Sequence, residues 1–157
     1  MTGYSIREAT LADAETIVRH RREMFFDMGH CDAAVLDELV KSFRPWLADK
    51  MSKSEYRGWF AIAKDGSIAA GAGLWLMNWP PGLQTSEPWR GNILNVYTEP
   101  EHRRRGLARS LVIAARDWCG TNGVRVVILH SSNEGRALYE SLGFQPTNEM
   151  RVFLSDE

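Results

Sequence analysis

A strand, a helix and a second strand follow one another in the latter half of the chain, and that succession constrains the fold more than any other feature. Asn92 to Thr98 is strand-like, Arg105 to Thr121 reads as a helix, and Val124 to His130 is a nearly continuous apolar run. Such a run suits a strand covered on both faces. A strand–helix–strand unit closes by a right-handed crossover, which makes its strands parallel. The first half reads differently. Trp59 to Lys64 and Ser67 to Met77 form a hairpin around Asp65-Gly66, a dipeptide suited to a type I′ turn. The expected architecture is therefore layered α/β, with a mixed, mostly antiparallel sheet and helices on its faces.

The remaining elements fill in around these. Tyr4 to Ala9 can be a first strand. Thr10 with Asp13 has capping-box spacing and opens a helix whose apolar face holds Ala14, Ile17, Val18, Phe25 and Met28; Gly29 is its stop. Asp32 caps a second helix through Phe43, with Pro45 near its end. Asn78 to Gly91 is a loop, and a loop of that length is usually functional or disordered. Asn133 to Leu142 is a short helix stopped by Gly143, and Met150 to Leu154 a last strand.

Size and charge set limits. The 157 residues suit one domain, residues 1–157. A net charge of −1 gives no global attraction to nucleic acid or acidic membranes, so an anion site must be local. Cys31 and Cys119 are too few for a disulfide framework. No secretory leader is legible before Arg7 and Glu8, and the run from Ala69 to Met77 is too short to span a bilayer. The expected location is the cytoplasm.

The chemistry concentrates in Thr98-Glu99-Pro100-Glu101-His102-Arg103-Arg104-Arg105-Gly106-Leu107-Ala108-Arg109, which joins the strand to the long helix. A helix start offers unpaired N–H groups and partial positive charge, hence an anion site. Gly106 and Ala108 leave room for a ligand, and Arg103, Arg104, Arg105 and Arg109 add full charges. The loop G-x-x-x-x-G-K-[ST] is absent, and Gly71-x-Gly73 lacks the third glycine of a dinucleotide fingerprint. A diphosphate that needs no metal remains, and coenzyme A is one.

Arg103, Gly106 and Ala108 match [QR]-x-x-G-x-[GA], which resembles motif A of the GNAT superfamily of acyl-CoA-dependent N-acyltransferases. Leu138-Tyr139-Glu140-x-x-Gly143-Phe144 resembles that family's L-Y-x-x-x-G-F element. The resemblance implies a splayed parallel strand pair and an acetyl-CoA site with no metal. It implies that backbone groups of Val96, Tyr97 and Thr98 pair with the pantetheine arm, and that Leu107 lies in the diphosphate turn. It makes Tyr139 the general acid. The family's N-x-x-A-x-x-x-Y is altered here: Ser132 and Gly135 stand at the asparagine and alanine positions, and either Ser132 or Asn133 can contact pantetheine.

No carboxylate lies on Asn92 to Asn95, where many members carry a glutamate base; His130, Glu149 and Asp27 are the candidates, and a base acting through ordered water is equally open. Trp79 and Trp89, with Arg22, Met24, Phe25 and Asp27, are candidates for the acceptor wall. The implied reaction is acetyl transfer to a primary amine of a small molecule or peptide. A non-catalytic acyl-CoA-binding module is the alternative, a nucleic-acid-binding domain is disfavoured by the charge, and a homodimer is left open.

Overall fold

The computed structural model describes residues 3–156. Five strands form one sheet in chain order: β1 (Tyr4–Glu8), β2 (Tyr56–Ala63), β3 (Ile68–Asn78), β4 (Trp89–Thr98) and β5 (Val127–Leu129). The first four pair antiparallel, and β4 pairs parallel with β5. This is the mixed sheet expected, and the parallel pair is the product of the strand–helix–strand unit.

Helices cover both faces. On one lie α1 (Ala14–Asp27) and α2 (Ala33–Ser52), packed over Phe60, Tyr56 and Leu94. On the other lie α3 (Leu107–Thr121) and α4 (Arg136–Ser141). Leu107, Leu111, Val112 and Ala115 of α3 pack there on Ala72, Leu74 and Ile93 of the sheet. Leu47, Leu74 and Leu111 are wholly buried, each contributing about 1.5–3 kcal/mol through removal of apolar surface from water.

Local chemistry sets most element ends. Asp13 Oδ2 accepts the Thr10 N–H at 2.7 Å, in the direction a capping box requires, although a 3-10 turn precedes α1. Gly29 ends α1 at φ +99. Asp32 Oδ1 accepts the Ala34 N–H at the start of α2.

Some expectations need correction. Only Gly66 of the Asp65-Gly66 pair has positive φ, and Gly66 N–H bonds to the Ala63 carbonyl. The connection is therefore a three-residue loop with glycine in the left-handed position, not a type I′ turn. Helix α2 runs through the exposed Pro45 to Ser52. The lost backbone bond there faces water, and Phe43, Trp46 and Leu47 around it pack inward. Strand β4 begins at Trp89, which shortens the preceding loop. Helix α4 starts only at Arg136, because Ser132 Oγ accepts the Gly135 N–H and holds the residues before it in a turn. Met150 to Leu154 forms no strand, and Met150, Val152, Phe153 and Leu154 are exposed.

The irregularity that matters lies in β4. Gly71 pairs with Tyr97 but Gly73 with Leu94, so one residue of β3 faces two of β4. Asn95 sits in this bulge at φ +56, a conformation asparagine tolerates better than most residues. Pairing with β5 covers only Gly91 to Ile93. Past the bulge, the two parallel strands separate.

Gly73 makes the bulge possible. A Cβ there would lie 2.0 Å from Tyr56 Oη, because the phenol crosses this position to reach Asn95. Gly73→Ala is expected to cost about 1–3 kcal/mol through overpacking, read from the denaturant midpoint at unchanged slope. Wild-type stability in this variant would contradict the packing described.

Candidate active site

The start of α3 is uncapped. Gly106 is its N-cap at φ +75, and no side chain bonds to the free N–H groups there. The first helical bond runs from Ser110 N–H to Gly106 C=O, so the N–H groups of Leu107, Ala108 and Arg109 have no partner within the helix. Open space surrounds the position of a Gly106 Cβ. Leu107 anchors the helix with its buried side chain, at 2 % exposure, and presents only backbone to the turn.

The arginines divide their work. Arg103 turns away from the helix start: its Nε donates to the Thr98 carbonyl at 3.0 Å, its Nη2 pairs with Asp27 on α1, and its guanidinium lies 5.7 Å from the Tyr97 ring. Arg105 reaches Tyr4 Oη at 3.2 Å, and Arg109 donates to Ser141 Oγ at 2.9 Å, tying α3 to α4. Arg104, at φ +61, is exposed. Arg104 and Arg105 supply exposed positive charge beside the free amides.

The freed edge of β4 lies just before this turn. On the β3 side Tyr97 and Thr98 pair with Gly71 and Ala70; on the β5 side, among the described residues, no strand pairs with residues 94–98. The Thr98 carbonyl is already engaged by Arg103. Val96 points toward α3, and Tyr97 toward α1, 5.0 Å from the His20 ring.

Tyr139 on α4 packs against the same apolar cluster as Val96 and Leu129. Its ring meets Phe144 edge-on at 6.0 Å. A helix end with bonds from Gly143 N–H to Glu140 C=O and Phe144 N–H to Tyr139 C=O fixes that ring, as in a Schellman motif. Burial pushes the phenol above its ordinary pKa, so it keeps its proton at neutral pH.

The other sequence candidates separate. His130, just past β5, and Glu149 come together, with Nε2 at 3.3 Å from both carboxylate oxygens and both side chains exposed. Asp27 is committed to Arg103. Ser132 is used in the turn before α4, and Asn133 is exposed. Trp79 and Trp89 lie at the far end of the β3–β4 hairpin; Trp89 is six positions from Asn95, about 20 Å along a strand. Arg22 pairs with Asp37 of α2.

Sequence reading missed the polar network beside the bulge. Asn95 Nδ2 donates to Tyr56 Oη at 3.0 Å, and its Oδ1 accepts from Arg21 at 2.7 Å. Burial raises the Tyr56 phenol to about 12. The available signal was Arg21 itself, an arginine inside the apolar stripe that holds Val18 and Phe25.

Comparison with known proteins places these features. The model of the acetyltransferase (GNAT) family matches residues 15–144, and the chain belongs to that family. It is 34% identical to a GCN5-related N-acetyltransferase from Ralstonia eutropha JMP134, over 97% of this chain and 99% of that one, at TM-score 0.90. A predicted acetyltransferase from Clostridium acetobutylicum, solved with acetyl-CoA, is 25% identical over 96% of each chain at TM-score 0.83. An aminoglycoside N-acetyltransferase in complex with CoA shares the fold at 19% identity, over 98% of this chain and 95% of that one, with TM-score 0.68. No curated protein matches the chain.

His20, between Tyr97 and Phe60, gives this region a pH signature. Burial, with Arg19 nearby, lowers the imidazole to about 4, against 6.5 in an unfolded chain. Between those values the unfolded state binds the extra proton. Stability is therefore complete above pH 6.5 and falls as pH drops toward 4, by up to about 1.4 kcal/mol per pH unit. Denaturant midpoints across this window should show that slope in the wild type and lose it in His20→Gln. A flat wild-type profile would contradict a buried, neutral His20.

Proposed function

We propose that the chain is an acetyl-CoA-dependent N-acetyltransferase acting on a primary amine by direct attack in a ternary complex. The observation that carries this is the union of two features: β4 leaves β5 after Ile93, and the helix that follows starts with uncapped amides. A splayed strand edge can accept an extended amide-bearing arm as an added strand, and a helix start can accept a diphosphate. Family membership and the relative solved with acetyl-CoA support the cofactor.

The residues present fit coenzyme A. The N–H groups of Gly106, Leu107, Ala108 and Arg109 would hold the diphosphate, with Arg104 and Arg105 as counter-charges. Backbone groups of Val96, with the Thr98 N–H, would hold the pantetheine arm, while those of the third expected residue, Tyr97, face β3. Arg103 acts indirectly, by fixing the turn through the Thr98 carbonyl and Asp27. Asn133 is the freer of the two polar residues before α4, since Ser132 Oγ already accepts a bond. Bound there, acetyl-CoA supplies an acyl group activated as a thioester.

The chain's own groups then manage charge and protons. A backbone N–H of the freed strand stabilises negative charge developing on the carbonyl oxygen. Tyr139 holds its proton at Oη for the departing sulfur. With Asp27 committed to Arg103, the His130–Glu149 pair is the candidate acceptor of the amine proton.

Free-thiol release with acetyl-CoA across a panel of amines tests the reaction. Tyr139→Phe should reduce turnover by about a hundredfold and leave acetyl-CoA affinity, measured by calorimetry, unchanged. Unaffected turnover would remove Tyr139 as the acid. Coenzyme binding with no thiol release for any amine would favour the non-catalytic acyl-CoA-binding module.

A further inference from the structure

Arg21 occupies a position on α1 one turn after Ile17 and Val18, which the helix presents to the sheet and to α2, and one turn before Phe25. Its guanidinium lies 4.7 Å from the Phe43 ring and 5.1 Å from the Phe25 ring. Nη1 donates to Asn95 Oδ1, and Nε is buried without a partner. Among the described residues Nη2 has no hydrogen-bond partner.

Charge balance sets Arg21 apart. The neighbouring arginines are matched among the described residues: Arg19 with Glu99, Arg22 with Asp37, Arg103 with Asp27. Arg21 has no carboxylate partner there, and burial lowers its pKa with no acidic group acting to raise it apart from the neutral Tyr56 phenol. A desolvated charge without a counter-ion is costly and is ordinarily paired. The aromatic rings on either side compensate only in part.

Its position says what the missing partner is. Through Asn95, Arg21 is fixed to the β4 bulge, one residue before the backbone that would hold the acyl donor. The planar fork of a guanidinium matches a carboxylate. No second unpaired arginine stands beside it on α1, so a singly charged anion fits better than a phosphate dianion.

We propose that Arg21 is the acceptor's anchor: it binds a carboxylate carried by the amine substrate, making the preferred acceptor a small amino acid-like amine with its carboxylate a few bonds from the nitrogen. This rests on the acetyltransferase reading and narrows its acceptor class. Arg21 is a specificity-determining residue, and Asn95 and Tyr56 hold its bulge anchor in place.

Matched pairs test it. Rates of thiol release are compared for γ-aminobutyrate against n-butylamine, and for β-alanine against O-phosphoethanolamine. In the wild type the carboxylated member should have the higher kcat/KM, by about ten- to a hundredfold over n-butylamine. In Arg21→Gln that ratio should collapse toward one, and Arg21→Lys should recover part of it. In parallel, γ-aminobutyrate is titrated calorimetrically into each protein with CoA present, a readout that needs no turnover. It should bind the wild type and not Arg21→Gln, while melting temperature and circular dichroism confirm that the variant is folded.

Equal rates for γ-aminobutyrate and n-butylamine would overturn the proposal and leave the acetyltransferase reading intact. Preference for O-phosphoethanolamine would overturn the carboxylate assignment. Carboxylate binding that depends on Arg21, with no acetylation of any amine, would uphold the anchor and remove the enzyme reading. Absence of both γ-aminobutyrate binding and carboxylate selectivity in the wild type would overturn the anchor.

Discussion

Asn95 holds a left-handed backbone at φ +56 in the middle of a strand, and its side chain spans from Tyr56 Oη to the Arg21 guanidinium. A strained residue persists only where its surroundings over-determine it, and here they do so from two elements, β2 and α1. Both partners of the amide are themselves fixed: Tyr56 is buried at 4 % exposure and crosses the space that Gly73 leaves open, and Arg21 lies between two aromatic rings. The bulge ends the parallel pairing at Ile93, and the splayed edge that follows is a consequence of it.

The two faces of the sheet then contribute different things. The α3 side supplies the helix start and Tyr139, which share one apolar cluster with Val96. The α1–α2 side supplies the Arg21–Asn95–Tyr56 network and the aromatic group of Phe43, Trp46 and Trp75. The freed segment of β4 touches both, with Val96 facing one side and Tyr97 the other. Arg103 joins the two halves, since it bonds the end of β4 and the end of α1 at once. Its motif position thus reflects the shape of the turn, and the exposed positive charge beside the helix start comes from Arg104 and Arg105.

Much of this was legible in the sequence because local chemistry decides it. Asp32 and Gly29 mark helix ends, Gly106 marks a turn, and the apolar run Val124 to His130 marks a strand, although only Val127–Leu129 forms one, half-buried at the sheet edge rather than covered on both faces. The parallel pair and the free helix start follow from the order of elements. Long-range contacts were not legible. Nothing local shows that Tyr56 reaches Asn95 across 39 positions, that Asp27 is occupied by Arg103, or that β5 shortens because its neighbour bends away. Pro45 misled because tertiary packing outweighs a single lost backbone bond on a wet face. Met150 to Leu154 has the composition of a strand, but among the described residues no strand pairs with it.

The central claim is that β4 offers bare backbone beyond Ile93, and amide hydrogen exchange reads that directly. In the free protein the segment spanning residues 94–98 should exchange faster than Gly91 to Ile93, which lie in the stretch paired with both neighbours. Adding acetyl-CoA should slow it, together with residues 106–109. Exchange in residues 94–98 as slow as in Gly91 to Ile93, and unchanged by acetyl-CoA, would contradict the account.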